Sequence, residues 1–323
     1  MSTTIEWTDK VWNPTTGCNK VSRGCKNCYA EKMHKRLTGM RIAGYGRPFL
    51  DGAYPNPEAL NRPLGWKKGK RVFVNSMSDL FHENIPFEYV DQVFAVMALT
   101  PQHTYQILTK RPVRMEEYMN RRMISRAWSP SRKDSDIRFK YKTPADNVYA
   151  IARGMKGRDA APNLIWPLPN VWLGTSVEDQ KSADERIPHL LNCPAPVRFL
   201  SMEPLVGPVN FDAVPVSVPF KSWYHGLGWV IVGGESGSKA TPIHPEWVRS
   251  LRDQCAHAGV PFFFKQWGEW CPPEEYSFAT GSPDLTSCKR FAFPDGQEMY
   301  KVGKHHSGRA LDRKEHNKCP NAK

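Results

Sequence analysis

Three cysteines, Cys18, Cys25 and Cys28, form a C-x6-C-x2-C array inside the stretch TTGCNKVSRGCKNCYA (15–30). Thiols this close in sequence suit metal ligation better than packing. Three thiolates leave one position of a four-coordinate centre open, and an open position is where chemistry takes place. Three readings follow. A [4Fe–4S] cluster held by three protein thiolates leaves one iron free for a small-molecule chelate. Zinc is the alternative: His34 extends the array to C-x6-C-x2-C-x5-H, and Cys3His is a closed structural set. The remaining reading is a loop of metal-free thiols. The other cysteines, Cys193, Cys255, Cys271, Cys288 and Cys319, are scattered. They read as buried small hydrophobes or inert surface thiols.

The thiols need elements to hold them. Residues 4–13 carry Ile5, Trp7, Val11 and Trp12 in rough alternation, which predicts a short strand leading into the cysteine loop. Pro14 and Gly17 then let the chain turn. After Cys28, the spacing of Tyr29, Met33 and Leu37 predicts a helix. Further on, a unit repeats: an apolar run, a polar tip and a helical segment. The runs are 71–81, 104–112, 170–179, 196–205, 227–237 and 260–270. Helices are predicted at 87–99, from Val113, from Gln180, and at 245–258. Nearly continuous apolar runs are expected of parallel strands covered on both faces. With the cysteine-bearing strand this makes about seven strands, an α/β chain folded as a complete or partial (β/α) barrel.

The polar residues fall where each run ends: Ser78 and Asp79, Lys110, Ser176 and Glu178, Glu203, Glu235 and Ser236, and Lys265. Carboxyl ends of parallel strands are where such folds build their sites. Two segments stand outside the repeat. The barrel is expected over 1–275, interrupted at 118–168 by a basic insertion, with a tail at 276–323 that packs on or caps it. Within the insertion Arg126, Arg132, Lys133, Arg138, Lys140 and Lys142 mix with Trp128, Phe139, Tyr141 and Tyr149. That mixture suits phosphate contact with base stacking, and equally a solvated excursion. The basic segment HHSGRALDRK (305–314) could touch phosphate or simply be surface tail.

The chain has 323 residues and a formal charge of +13, which favours polyanionic partners, nucleic acid first. No run reaches the roughly 18 apolar residues that a membrane helix needs. The N-terminal MSTTIEWTDK has no basic segment followed by an apolar stretch, so the cytoplasm is the expected compartment. Eight cysteines in a reducing compartment are not a disulfide framework. No nucleophile elbow, Walker loop or HExxH pattern occurs.

Nine stretches carry a resemblance. They are WNPTTGC (12–18), GCKNCYAE (24–31), VFVNSMSDLF (72–81), YQILTKRP (105–112), VWLGTSVED (171–179), RFLSMEPL (198–205), VIVGGESG (230–237), FFFKQWGEW (262–270) and SGRALD (307–312). On these, the chain resembles a phage-associated family of three-cysteine radical S-adenosylmethionine (SAM)-like proteins, distantly similar to the spore photoproduct lyase branch. The superfamily pattern is C-x3-C-x2-C with an aromatic residue before the last cysteine. Here the first gap is six, and Tyr29 follows the last cysteine.

The resemblance implies a TIM-type radical SAM barrel in which Cys18, Cys25 and Cys28 bind a [4Fe–4S] cluster. It implies SAM as second cofactor, with Ser78, Lys110, Ser176, Glu178, Glu203, Gly233, Gly234 and Glu235 as candidate contacts. The implied reaction is hydrogen abstraction by a 5′-deoxyadenosyl radical from nucleic acid or a nucleotide, in base modification or repair. It requires an electron donor, and it leaves a partner protein open. The alternative is a nucleic-acid-binding protein whose zinc or iron–sulfur site is structural.

Overall fold

The apolar runs become seven strands: β1 (Lys10–Trp12), β2 (Arg71–Val74), β3 (Thr104–Thr109), β4 (Val171–Ser176), β5 (Arg198–Met202), β6 (Trp229–Gly233) and β7 (Phe262–Gln266). The computed structural model describes residues 3, 5–121, 123–126, 139–156, 165–215, 222–281 and 284–320. All neighbouring strands are parallel, and their order in the sheet is their order in the chain. Right-handed crossovers in a sequential sheet place every helix on one face. The sheet curls with those helices outside. Among the described residues β1 and β7 do not pair, so the barrel is partial.

Side chains alternate between two apolar layers. Phe73, Trp172, Phe199, Trp229 and Phe263 point inward and join Trp7 in an aromatic plug. Val72, Val74, Leu173, Leu200, Val230, Val232 and Phe264 point outward into the main core beneath the helices. Trp7 precedes β1, yet its ring lies 6.2 Å from Trp229 on β6 and 6.5 Å from Phe199 on β5. A flat sheet would hold these apart, so the contact reports the curl. Gly174 has no side chain because a Cβ would meet the Phe199 ring at 2.5 Å.

The outer layer holds α2 (Phe87–Ala98), α3 (Pro112–Asn120), α4 (Pro144–Lys156), α5 (Gln180–Asn192) and α6 (Pro245–His257); α1 (Tyr29–Gly39) follows the cysteine loop. The 118–168 stretch is thus partly core. Val148 and Ala152 of α4 are fully buried in the main cluster. Buried Asp91 of α2 gathers Tyr118 Oη (2.9 Å), Arg121 Nη2 (2.6 Å) and Asn147 Nδ2 (3.1 Å), tying three helices together. Met123–Arg126 pairs antiparallel with Phe139–Lys142. Arg132, Lys133 and Arg138 lie outside the described residues, as do the side chains of Arg126, Lys140 and Lys142.

The 305–314 segment is held by the fold. Ser307 Oγ donates to the Gly268 carbonyl at 2.7 Å, and the Ala310 carbonyl accepts from Trp267 Nε1 at 2.7 Å. Leu311 is fully buried, and Asp312 takes Arg249 (2.8 Å) and Arg252 from α6. The chain then runs along the free edge of β7, where Phe263 bridges Asn317 and Phe264 N–H donates to the His316 carbonyl. The Lys318 carbonyl accepts from Trp229 Nε1 at 2.8 Å, and Cys319 packs on the aromatic plug. Covering an edge strand removes a template for unwanted pairing.

Candidate active site: a thiol loop across the barrel mouth

The loop from Gly17 to Tyr29 contacts segments that follow four different strands. Gly17 takes φ +78°, and a Cβ there would sit 2.4 Å from the Gly52 carbonyl oxygen. Ser78, just beyond β2, donates its hydroxyl to the Gly17 carbonyl at 2.6 Å. Arg111, after β3, donates to Asn19 Oδ1 and lies 3.8 Å from Cys18 Sγ. Ser22 Oγ donates to Glu178 Oε1, after β4, at 2.7 Å. Asn27 Nδ2 donates to the Lys239 carbonyl, after β6, at 2.9 Å. Tyr29 Oη closes the circuit onto the Ser76 carbonyl at 2.8 Å. The cysteines therefore stand over the carboxyl ends of the parallel strands.

All three thiols are free and half-buried. Cys18 and Cys28 lie against Ala30, Tyr45, Phe49 and Met77. Burial pushes the Cys18 thiol up to about 12, with Asp79 adding to the rise against the pull of Arg111. Cys25 moves the other way. Burial would raise it, but Lys110, loop amides and the Ser22 hydroxyl, 3.7 Å away, hold it below the ordinary thiol value. His34 does not join them. Its ring is buried between Tyr45 and Phe49, with Nε2 2.8 Å from the Arg47 carbonyl. Among the described residues no group of three or more His, Cys, Asp or Glu side chains is arranged for a single metal ion.

The helix expected after Cys28 is α1, but its buried face differs from the expected stripe. Ala30 and His34 are buried, whereas Tyr29 is 54% and Met33 37% exposed. The small Ala30 and the flat His34 ring fit closely against the 45–49 turn, which turns the larger side chains outward.

The polar strand ends form two groups. The first centres on Glu178, 1% exposed, which takes Lys110, Ser22 and Arg186 Nη1 (3.0 Å). Burial would raise its carboxyl; Lys110 and Arg186 outweigh that and hold it below the usual range. Arg186 also donates to the Ser176 carbonyl at 2.8 Å. Gly24 is required here, because a Cβ would lie 2.6 Å from Glu178 Cγ. Both oxygens of Glu178 are thus occupied by the protein. The second group is Glu203 with Lys265, whose Nζ is 2.5 Å from Oε2. The other carboxylate oxygen, Oε1, is buried and has no hydrogen-bond partner among the described residues. Burial lowers the Lys265 ammonium, and Glu203 more than restores it, to above its ordinary value. A Cβ on Gly233 would come 3.2 Å from Glu203 Cγ, and one on Gly234 would overlap the Trp267 carbonyl. Those glycines make room for the protein itself. Glu235 accepts from Thr241 N–H at 2.8 Å. Tyr29 lies within electrostatic reach of both Cys28 and Lys265, so it links the thiols to the second group.

Two residues in this arrangement, Arg111 and Arg186, escape a reading of strand tips alone, and the tip residue Asp79 ties one of them down. Asp79 accepts from Thr109 Oγ1 (2.7 Å), Lys110 N–H (3.0 Å) and Arg111 (3.1 Å), so it organises the end of β3. Arg111 follows the tip residue Lys110 directly, and its place in LTKRP was the available signal. Arg186 sits a turn inside α5, where nothing in the local sequence marks it. Of the tryptophans that could shield a cluster, Trp7 and Trp172 belong to the plug, and Trp12 and Trp267 to the outer core. Cys193 and Cys255 are fully buried, which pushes each thiol up to about 12.

The chain belongs to the family described as protein of unknown function (DUF5131), whose model matches residues 2–320. No curated protein matches it in sequence. Among solved structures, spore photoproduct lyase complexed with dinucleoside spore photoproduct is similar, at 11% identity and a TM-score of 0.32. That similarity covers 89% of this chain and 66% of the lyase chain, so this chain spans about two thirds of it.

Proposed function

We propose that this chain is an iron–sulfur enzyme of the radical SAM type that acts on nucleic acid or a nucleotide. One observation carries the reading: three free thiols on one loop, held over the carboxyl ends of seven parallel strands by contacts to four of them. The donor chemistry fits a cluster with three thiolate ligands. All three donors are sulfur, and Lys110 and Arg111 bring positive charge to Cys25 and Cys18. Against a Cys3His zinc set stands the packing of His34, whose ring is wedged between Tyr45 and Phe49 with Nε2 on the Arg47 carbonyl.

Cys18, Cys25 and Cys28 would hold the cluster. When bound, it supplies one electron to cleave the sulfonium of SAM, giving a radical that abstracts hydrogen from the substrate. The chain's own residues bind and orient. The unpartnered Glu203 Oε1 can accept from an ammonium, while Lys265 holds the other oxygen of that carboxylate. Glu178, Lys110 and Arg186 fix the loop that carries Cys25. The aromatic plug closes the barrel below and excludes water from that side. The net charge of +13 supports a polyanionic substrate.

Anaerobic reconstitution tests the reading. The expected result is about four irons per chain, an absorbance band near the blue edge of the visible, and 5′-deoxyadenosine after reduction with dithionite. A fully reconstituted protein that releases no deoxyadenosine would leave a nucleic-acid-binding protein with a structural metal.

A further inference from the structure

The loop and helix that carry the thiols also carry a concentrated positive charge. Between positions 20 and 47 there are eight Lys and Arg residues and one carboxylate, Glu31. All eight are exposed. Glu31 is already shared between Lys20 (3.2 Å) and Lys35 (3.6 Å). Lys26, Lys32, Arg36 and Arg41 form no ion pair among the described residues.

The outer face of α1 adds an ordered aromatic surface. Tyr29, Lys32, Met33 and Arg36 stand at i, i+3, i+4 and i+7, so they share one side of the helix. All four are exposed, because Ala30 and His34 take the buried side. The Tyr29 hydroxyl is anchored to Ser76, which holds its ring in place while more than half of the residue faces solvent. Lys32 Nζ comes 3.4 Å from the position of a Cβ on Gly237, so this face reaches the rim beyond β6.

We infer that this face of α1, with the loop before it, binds a single-stranded segment of nucleic acid. The phosphates lie along Lys26, Lys32, Arg36 and Arg41, a base stacks on Tyr29, and the strand is led to the thiol mouth. This inference rests on the nucleic-acid reading above and gives that reading an address. A single strand suits the site because an exposed, anchored ring stacks on an unpaired base, and every base offers a π-face. Cations on one helix face track a phosphate backbone.

Fluorescence anisotropy of labelled oligo-dT and oligo-U, titrated with NaCl, tests it on the full chain. Lys32→Glu with Arg36→Glu removes two phosphate contacts at exposed positions. Affinity should fall roughly 25-fold at about 0.1 M salt, and the log–log salt slope should become shallower by about 1.4. Lys67→Glu with Lys68→Glu, exposed and just before β2 at the opposite end of the sheet, should change both far less. Tyr29→Leu should weaken binding about tenfold at unchanged slope. Salt-dependent binding of either oligomer that is lost in the α1 variants supports the proposal. Equal losses from the two charge pairs would overturn the address while leaving the nucleic-acid reading standing. Wild-type protein that binds neither oligomer, or only phosphatidylserine vesicles, would overturn both.

Discussion

Ser22 and Glu178 are 156 positions apart and meet at 2.7 Å, the hydroxyl donating to the carboxylate. Through this bond the cysteine loop is fastened to the end of β4. Glu178 is saturated by Lys110, Ser22 and Arg186, so its first task is to position Cys25. Ser22 touches both the carboxylate and the Cys25 thiol.

That arrangement makes Glu178→Gln costly. The change leaves Lys110 and Arg186 facing a neutral amide in a buried setting, and breaking such a pair destabilises by about 3–5 kcal/mol. Urea unfolding at neutral pH measures it. Gly24→Ala tests the dock alone: the new Cβ displaces the loop from Glu178, and Cys25 should react faster with a thiol reagent while the unfolding midpoint moves less. Unchanged thiol reactivity in Gly24→Ala would show that the loop is not seated on Glu178.

On the proposed cluster reading, metal binding should depend on the thiols and not on His34. After anaerobic reconstitution, iron per folded chain should fall in Cys18→Ser, Cys25→Ser and Cys28→Ser. It should hold in His34→Gln, whose amide can still donate to the Arg47 carbonyl that now faces Nε2. Loss of metal in His34→Gln, or zinc in place of iron in protein purified anaerobically, would restore the Cys3His set.

Asp312 links the tail to α6 and has a pH signature. Burial would raise its carboxyl, but Arg252 and Arg249 outweigh that and hold it below the ordinary value of 3.8. A depressed carboxylate stabilises the fold in full above its unfolded value, and that stability is lost as pH falls through the folded value. The melting-temperature gap between the wild type and Asp312→Asn should therefore be constant from neutral pH down to about pH 4 and narrow below it. A gap that persists unchanged to lower pH would mean that the two arginines do not act through the carboxylate.

Removing residues 316–323 should uncover the β7 edge and the floor of the aromatic plug. The expected result is a lower melting temperature together with concentration-dependent association in light scattering, since an open edge strand recruits other chains. A truncated protein that stays monomeric and melts like the full chain would show that the edge is protected in some other way.

The seven strands and the helices between them stand where the apolar runs and their periodicity put them. Strand alternation and helical spacing are local properties, and a run such as VIVGG reads as a buried strand wherever it occurs. The thiol spacing was equally plain. What the sequence could not contain was the partner of each polar residue. Tyr29, Met33 and Leu37 spell a helix, yet only the fit of Ala30 and His34 against residues 45–49 decides which side is buried. The basic stretch after α3 looked like an insertion, yet Asn147 and Arg121 meet Asp91 and carry α4 into the core. Glu178, Glu203, Lys110 and Lys265 were recognisable as strand ends, but only tertiary structure pairs them, because an ion pair depends on distance in space between residues 62 or 68 positions apart. The sequence by itself determined the elements and the thiols; the folded chain decided what the thiol loop stands over, what holds it, and which face of α1 is left exposed, because those depend on contacts between distant residues.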